Sequence, residues 1–261
     1  MLIAHISDLH ISATYDPNGL VRPDAVERAR RLVADLAAFR PKIDLVVLTG
    51  DNSNDGLAAD YDLLKQVLAP LEMPVLPIPG NHDARGPMRS AFPDLPYADE
   101  TFLHYEWREG PVRIIALDSH VPGEVGGRLC AQRLAWLESR LSLPFEGETL
   151  VALHHPPCPT RMGVLDAATL MEGADTLAAL MALNDRPVTL LCGHLHRPIT
   201  CLWKGVNVRA AGSPAFMFDL SVDALNTPDV VDSPYSYAIH FIDGNGGHII
   251  HRHEVDMPVL S

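Results

Sequence analysis

The chain has 261 residues, of which 47% are hydrophobic, and this is enough to bury one sizeable core. It carries 33 acidic against 20 basic residues, a net charge of −13, whereas proteins that hold nucleic acid by its phosphates usually present a basic patch. We therefore do not expect a long nucleic acid as partner. A small anionic ligand, whose charge is neutralised by bound metal, is compatible with the composition.

The first two-thirds of the chain alternates predicted strands with amphipathic helices, which is typical of an α/β core with parallel strands. Short apolar runs predict strands at residues 2–6, 45–48, 75–78, 150–153 and 188–191. Apolar residues at helical spacing predict helices at residues 23–39, 57–71, 129–141 and 167–183. The proline-rich segments 85–104 and 155–165 fit neither pattern, so we expect long loops there.

The last third of the chain has a different pattern, in which short strands are joined by turns. Strands are predicted at residues 205–211, 237–242 and 248–253. The last two are connected by Asp-Gly-Asn-Gly-Gly, a sequence that favours a tight turn. We expect these strands to form a second, more antiparallel sheet that packs on the first.

One further segment, residues 212–235, carries the apolar patch 216–218 followed by acidic residues. The length of the segment and its apolar patch predict either a cap over a site or a dimerisation segment. A homo-oligomer, dimer or higher, is therefore expected as an alternative to a monomer. We find no linker or internal repeat, so the economical interpretation is a single domain over residues 1–261.

Metal-binding side chains follow directly after each of five predicted strands. The segments are Ser-Asp-Leu-His at 7–10, Gly-Asp at 50–51, Gly-Asn-His-Asp at 80–83, His-His-Pro-Pro at 154–157 and Gly-His-Leu-His at 193–196. Because these segments lie past the ends of strands, one edge of a sheet would gather them in one place. Alternate residues of an extended segment point the same way, so two ligands of one segment can converge.

The candidate ligands offer carboxylate, imidazole and amide oxygen without thiolate, a set that suits Mn, Fe, Zn or Co. They are Asp8, His10, Asp51, Asn81, His154, His194 and His196. A catalytic zinc needs three protein ligands and an open position, so seven candidates are too many for one ion. They are about right for two divalent metal ions that share a carboxylate and clamp a phosphoryl group.

These motifs, in this order over about residues 1–215, resemble the calcineurin-like metallophosphoesterase superfamily. The closer similarity is to the bacterial class III cyclic-nucleotide phosphodiesterases and the related glycerophosphodiesterases. It is carried by Ala-Leu-Asp-Ser at 116–119, Leu-Ala-Trp-Leu at 134–137 and the motif at 154–157. The resemblance implies an α/β fold, a four-layer α-β-β-α sandwich of two mixed β-sheets flanked by helices.

The resemblance also implies roles for the motif residues. Asp8, His10 and His196 would bind the first metal ion, and Asn81, His154 and His194 the second, with Asp51 bridging. His82 would not be a ligand; it would face the phosphate and stabilise or protonate the leaving group, with Asp83 orienting its ring. A metal-bound hydroxide would attack the phosphorus.

The function implied is that of a binuclear-metal phosphodiesterase for small phosphodiesters, first of all 3′,5′-cyclic nucleotides. The alternatives are a glycerophosphodiester or phosphomonoester hydrolase and, more remotely, a non-catalytic interaction scaffold that would have lost ligands. Some glycerophosphodiesterase relatives carry a histidine a few residues past the strand that ends near residue 212. This chain reads Gly-Ser-Pro-Ala-Phe at 212–216 and lacks that histidine.

Several residues near the motifs keep two interpretations. Arg85 and Arg161 would pair either with a phosphate or with a neighbouring acid. Residues 52–54 would either reach the substrate or cap the next helix. We expect His155 to support a ligand without being one, and the histidines of residues 248–253 to be solvated.

The sequence also predicts where the protein acts. No run of about 18 apolar residues occurs, so we expect no membrane association. The first residues lead into a strand without the basic and apolar regions of a signal peptide. Four cysteines without a paired spacing are expected to be reduced, and together these features predict a cytoplasmic protein.

Overall fold

The computed structural model describes residues 1–184, 186–223 and 225–257. Its strands are β1 (Leu2–Ile6), β2 (Leu45–Leu48), β3 (Val75–Pro77), β4 (Tyr105–Glu109), β5 (Val112–Ala116), β6 (Gly127–Arg128), β7 (Glu148–Ala152), β8 (Leu170–Glu172), β9 (Val188–Cys192), β10 (Ile199–Trp203), β11 (Val206–Ala210), β12 (Met217–Phe218), β13 (Val230–Val231), β14 (Tyr235–Ile242) and β15 (His248–Val255). Its helices are α1 (Ala25–Ala38), α2 (Ala58–Leu68), α3 (Arg85–Ala91), α4 (Ala131–Leu141) and α5 (Ala174–Ala182), with a 3₁₀ helix at Gly163–Ala168.

Two large sheets carry most of these strands. The first sheet has the order β15-β14-β1-β2-β3, in which β1, β2 and β3 are parallel and β14 is antiparallel to both of its neighbours, β1 and β15. The second has the order β10-β11-β9-β7-β5-β4, with four parallel central strands and antiparallel edges. The expectation that the last third forms a sheet of its own is wrong: β11 pairs with β9 and β14 with β1, so the last strands extend both existing sheets.

Side-chain alternation along the strands builds the layers, because successive residues of a strand face opposite sides of a sheet. In the first sheet, Ala4 packs against α1 and α2, whereas Ile3 faces the second sheet. In the second sheet, Val151 packs toward α4 and α5, whereas Leu150 faces the first sheet. The prediction of an α-β-β-α sandwich with two mixed sheets is confirmed.

The elements that differ from expectation are set by tertiary contacts. The predicted helix at 167–183 begins only at Ala174, because residues 170–172 pair with β6 and Gly173 has a φ of 90°. The predicted loop at 85–104 begins with the two turns of α3. The hairpin β4–β5 and strand β10 have no counterpart among the predicted elements.

The apolar patch 216–218 is buried. Phe216 and Phe218 pack against Ala25, Met162 and Leu195, so the patch belongs to the interior of the protein. Among the described residues, no helix combines the length and hydrophobicity that crossing a bilayer requires.

Candidate metal centre

All seven predicted ligands lie together, each just past the end of a strand. Asp8 and His10 follow β1, Asp51 follows β2, Asn81 follows β3, His154 follows β7, and His194 and His196 follow β9. Asp8, His10, Asp51 and His196 form one group whose ligand atoms all lie within 4.8 Å of one another. His154 and His194, with His155, form a second such group.

The backbone turns sharply at most of these positions. Positive φ values, uncommon for residues other than glycine, occur at Asp8 (56°), His10 (43°), Asp51 (48°), His194 (74°) and His196 (52°). The loops hold each other in this conformation: the Asp8 N–H donates to Gly50 O at 3.0 Å and the His10 N–H to Asp51 O at 2.9 Å. Backbone strain of this kind costs about 1–3 kcal/mol per residue and clusters at functional sites.

In the first group, two imidazole nitrogens face each other. His10 Nε2 lies 3.1 Å from His196 Nε2. His196 Nδ1 donates to the carbonyl oxygen of Phe216 at 3.0 Å. His10 Nδ1 lies 3.2 Å from Asn54 Oδ1, and the Asn54 amide nitrogen donates to Asp55, so the oxygen side of the amide faces His10. Both Nδ1 atoms therefore carry the proton, and both Nε2 atoms present lone pairs to the same point.

The second group repeats this arrangement. His154 Nδ1 donates to the carbonyl oxygen of Thr49 at 2.7 Å, so in the neutral ring the lone pair is on Nε2. Asn81 Oδ1 lies 3.2 Å from that Nε2 and 3.0 Å from His194 Nδ1. Asn81 Oδ1 thus lies within reach of one ring nitrogen from each histidine, and a cation at this point would suit the oxygen and both neutral rings. The residues present fit a metal ion in both groups.

Asp51 lies between the two groups. Its Oδ2 is 3.5 Å from His10 Nε2 and 3.4 Å from His154 Nε2, while its Oδ1 accepts the His82 N–H at 2.9 Å. A Cβ at Gly80 would collide with this carboxylate, so only glycine allows the two loops to approach so closely. The position of Oδ2 is the one that a shared carboxylate needs.

Burial keeps the rings of His10, His194 and His196 neutral, which is the form that binds a metal ion. It lowers the pKa of His10 to about 4 and that of His194 to about 3, so both rings are neutral near pH 7. Burial also raises the pKa of Asp8 to about 7. Burial opposes charge on Asp51 and His154 too, yet their mutual attraction lowers the pKa of Asp51 and raises that of His154 to about 9.

His82 lies beside the ligands with an exposed side chain. Its Nδ1 donates to the carbonyl oxygen of Asn54 at 2.8 Å, and its ring contacts that of His10 edge-on at 4.7 Å between centroids. Asn54 therefore orients both histidines, one with its backbone and one with its side chain. Sequence reasoning did not single out this role, although residues 52–54 directly follow a predicted ligand.

The expectation that Asp83 orients His82 is wrong, because the Asp83 carboxylate accepts hydrogen bonds elsewhere. The backbone N–H groups of Asn52, Ser53 and Gly80 donate to it at 3.1, 3.1 and 2.9 Å, and the Tyr61 hydroxyl donates at 2.8 Å. Asp83 thereby ties the loop after β2 to the loop after β3.

The remaining candidates have structural partners. Arg85 forms two hydrogen bonds with the buried Asp118, at 2.7 and 2.9 Å. Arg161 pairs with Asp223 at the surface. Both ring nitrogens of His155 form hydrogen bonds: Nδ1 lies 2.7 Å from Ser119 Oγ, and Nε2 lies 3.0 Å from Val125 O. The acid partner is therefore the observed one for both arginines, and His155 supports the site without offering a free ligand atom.

A cavity of about 340 Å³ opens over the ligands, within the size range of small-molecule sites. Its floor includes His10, Asp51, Asn81, His82, His194 and His196. Its walls are largely apolar and include Tyr15, Leu20, Val21, Val125, Leu165, Phe216 and Phe218. The Phe216 ring lies 3.9 Å from that of His196, so an aromatic face borders the ligands directly.

Comparison with known proteins agrees with this geometry. Residues 1–198 match the family model described as "Calcineurin-like phosphoesterase". The chain is 31% identical to a probable glycerophosphodiester phosphodiesterase GpdQ of Arcobacter nitrofigilis, over 92% of this chain and 88% of the relative. It is also 31% identical to the 3′,5′-cyclic adenosine monophosphate phosphodiesterase CpdA of Vibrio vulnificus, over 86% of this chain and 81% of the relative.

Solved structures share the fold at lower identity. A dimetal phosphatase from Danio rerio superposes with a TM-score of 0.69 at 15% identity, covering 92% of each chain. The match to the family model spans well over half of the chain and contains all seven predicted ligands. The chain therefore belongs to the calcineurin-like phosphoesterase family.

Proposed function

We propose that the protein is a phosphodiesterase that uses two divalent metal ions to hydrolyse 3′,5′-cyclic nucleotides. The observation that carries this proposal is the convergence of imidazole lone pairs and carboxylate oxygens on two points, joined by Asp51, at the floor of a cavity. The relatives named as cyclic-nucleotide and glycerophosphodiester phosphodiesterases support it.

The assignment of ligands follows the two groups. Asp8, His10 and His196 would hold the first ion, and Asn81, His154 and His194 would hold the second, with the Asp51 carboxylate within reach of both groups. When bound, the ions supply Lewis-acid stabilisation of the phosphoryl charge and activation of a water. The donor set suits Mn, Fe, Zn or Co.

His82 handles the proton of the leaving group in this proposal. Its Nδ1 proton is committed to the Asn54 carbonyl, so Nε2 is the atom that can hold a proton for the leaving oxygen. The side chain is exposed and borders the cavity, so it can reach a substrate. The backbone N–H of His82 donates a hydrogen bond to Asp51 Oδ1, which fixes the backbone of His82 relative to the ligands.

The walls of the cavity favour a nucleotide. A nucleobase can pack against the apolar wall of the cavity, to which the small exposed parts of Phe216 and Phe218 contribute and which a glycerol group would not use. Where some glycerophosphodiesterase relatives place a histidine, Ser213 donates its hydroxyl to the backbone of Asp8 at 2.7 Å. The polar group in this stretch thus supports a ligand loop and does not face the substrate.

A substrate panel on the metal-loaded protein tests the proposal. We expect kcat/KM for 3′,5′-cyclic nucleotides to exceed that for glycerophosphodiesters and phosphomonoesters by about tenfold or more, the scale of one well-filled apolar contact. Phe218→Ala should raise KM for cyclic nucleotides and leave that for a glycerophosphodiester unchanged. The exposed Phe241→Ala on β14 is the matched control.

The outcomes separate the candidate functions. A preference for glycerophosphodiesters would favour the second candidate, which the relative from Arcobacter nitrofigilis supports. A preference for monoesters would favour a phosphatase. Failure to hydrolyse any of these esters when metal-loaded would favour the non-catalytic scaffold.

We further propose that the protein acts in the cytoplasm on small phosphodiesters. All four cysteines are free thiols, as a reducing compartment would keep them. A homo-oligomer through residues 212–235 stays a prediction. Because the patch 216–218 is buried, the exposed apolar side chains that such a contact could use include those of Leu220, Val222, Leu225 and Val230.

A further inference from the structure

Two cysteines lie next to each other near the segments that carry the candidate ligands. The sulfur atoms of Cys158 and Cys201 lie 3.1 Å apart. Cys158 follows the loop that carries His154, and Cys201 lies on β10, the strand after the loop that carries His196. Both pack on the face of the second sheet that is covered by α4 and α5.

This separation is close to bonding geometry. A disulfide has an S–S distance of about 2.05 Å, so the two sulfur atoms need to approach by only about 1 Å. The proposal requires side-chain rotations of that size.

We propose that Cys158 and Cys201 form an oxidisable dithiol that a hydroperoxide converts into an intrachain disulfide. The sulfur of Cys201 attacks the peroxide oxygen, breaks the O–O bond and becomes a sulfenic acid, and water is released from hydrogen peroxide. The sulfur of Cys158 then attacks the sulfenic sulfur, forms the S–S bond and expels a second water. Two thiols and one peroxide thus give one disulfide and two waters.

The order of the two steps follows from exposure. Cys201 is half-buried, whereas Cys158 is 3% exposed, so peroxide reaches Cys201 first. Cys158 resolves the sulfenic acid because its sulfur already lies 3.1 Å from that of Cys201, and its thiol proton leaves with the departing hydroxide as water. The other two cysteines are placed differently: Cys192 is fully buried, and Cys130 precedes α4.

The disulfide would join two segments that carry metal ligands. The cysteines are 43 residues apart, so the bond closes a long loop of the unfolded chain and should stabilise the folded state. The gain expected for such a loop corresponds to a rise in Tm of about 5–10 °C in a chain of this size. The modification is reversible by a dithiol reductant.

The experiment uses the full chain loaded with zinc, because Zn²⁺ is redox-inert and does not itself react with peroxide. A Cys130→Ser background removes the thiol at the start of α4. Hydrogen peroxide is added, remaining thiols are alkylated after unfolding, and peptides are mapped by mass. We expect a peptide pair linking Cys158 to Cys201 with loss of two hydrogen atoms, reversal by dithiothreitol, and a higher Tm before reduction.

Two variants keep the proposal falsifiable. Cys158→Ser should leave a sulfenic acid on Cys201 that dimedone traps, and Cys201→Ser should leave Cys158 unmodified. The proposal is overturned if both thiols of the parent remain alkylatable, if Cys158 links to Cys192, or if Cys201 is oxidised without a link.

Discussion

Two clusters of histidines in this protein behave in opposite ways. At the sheet edge that carries the candidate ligands, here called the metal edge, the Nδ1 atoms of His10, His154 and His196 each lie against an oxygen atom. The Nε2 atoms of these rings point toward the other ligands. Between the two sheets, His240 Nδ1 lies 2.9 Å from His248 Nε2, and His248 Nδ1 lies 3.4 Å from Glu148. In this second cluster His240, His248 and Glu148 contact one another in sequence, so their polar atoms are used by each other.

The difference shows what makes a metal site. Among residues 1–184, 186–223 and 225–257, the groups whose ligand atoms converge lie at the metal edge, not between the sheets. The number of histidines in a cluster is therefore a poor indicator of a metal site. Acceptor atoms that converge on one point without donors between them are a better indicator. The expectation that the histidines of residues 248–253 are solvated fits the exposed His251, but it is wrong for His248, whose side chain is 12% exposed and lies 3.4 Å from the Glu148 carboxylate.

The largest expected effect comes from removing the shared carboxylate. Asp51→Ala should lose bound metal and lower kcat/KM by about 10³-fold or more, because both groups lose the same oxygen. Elemental analysis and turnover of a bis-aryl phosphodiester measure it. His248→Ala, in the second cluster of histidines, should keep the metal content of the parent. If Asp51→Ala retains both ions, the bridging assignment fails.

Removing the proton carrier should give the next largest effect. His82→Ala should keep its metal and lower turnover by about 10²–10⁴-fold on substrates with poor leaving groups, with less effect on an activated aryl ester. Steady-state kinetics on both ester types measure the contrast. Equal losses on the two would argue against a role in protonating the leaving oxygen.

A smaller effect is expected at Asn54. Asn54→Ala removes the amide oxygen beside His10 Nδ1 and keeps the backbone carbonyl that binds His82. We expect metal affinity to fall about 10–100-fold, with kcat at saturating metal close to that of the parent. Metal titration gives the result, with the exposed Asn207→Ala as control. A loss of kcat at full metal occupancy would show that the side chain acts on the chemistry.

The smallest effect concerns stability and His5, a buried ring between the sheets. Burial lowers its pKa to about 3 in the folded protein, from 6.5 in the unfolded chain. Below pH 6.5 the unfolded chain gains a proton that the folded protein does not, so the free energy of unfolding falls as pH drops toward 3. The contribution is about 1.4 kcal/mol per pH unit.

His5→Gln should remove that dependence. Denaturant unfolding at pH 8, 6 and 5 should show a shallower fall in stability for His5→Gln than for the parent. His251→Gln, exposed on β15, should leave the slope unchanged. An unchanged slope in His5→Gln would mean that the buried ring does not set the acid limit.

The sequence predicts the metal centre better than it predicts the elements around it. The structure brings Asp8, Asp51 and His154 to one sheet edge, as expected, because each follows a short apolar run, and strand ends are local features. The orientation of His82 by a backbone carbonyl was missed, since it depends on how the loop after β2 turns. Asp83 was assigned to the wrong partner for the same reason.

Elements that depend on distant pairing were also missed. Residues 170–172 fit a helical pattern, yet they form β8 because β6 lies beside them. The hairpin β4–β5 begins with Tyr-Glu-Trp-Arg-Glu at 105–109, whose charges hide its alternation. The secondary structure of these segments is determined by the strands that pair with them and not by their own sequence.

The central claim is that these side chains hold two ions and that the ions support hydrolysis. The direct test is elemental analysis of the full chain after loading with Mn, together with turnover of a bis-aryl phosphodiester. We expect two ions per chain and turnover that rises with occupancy. Fewer than one ion per chain, with no turnover after addition of Mn or Co, would contradict the account.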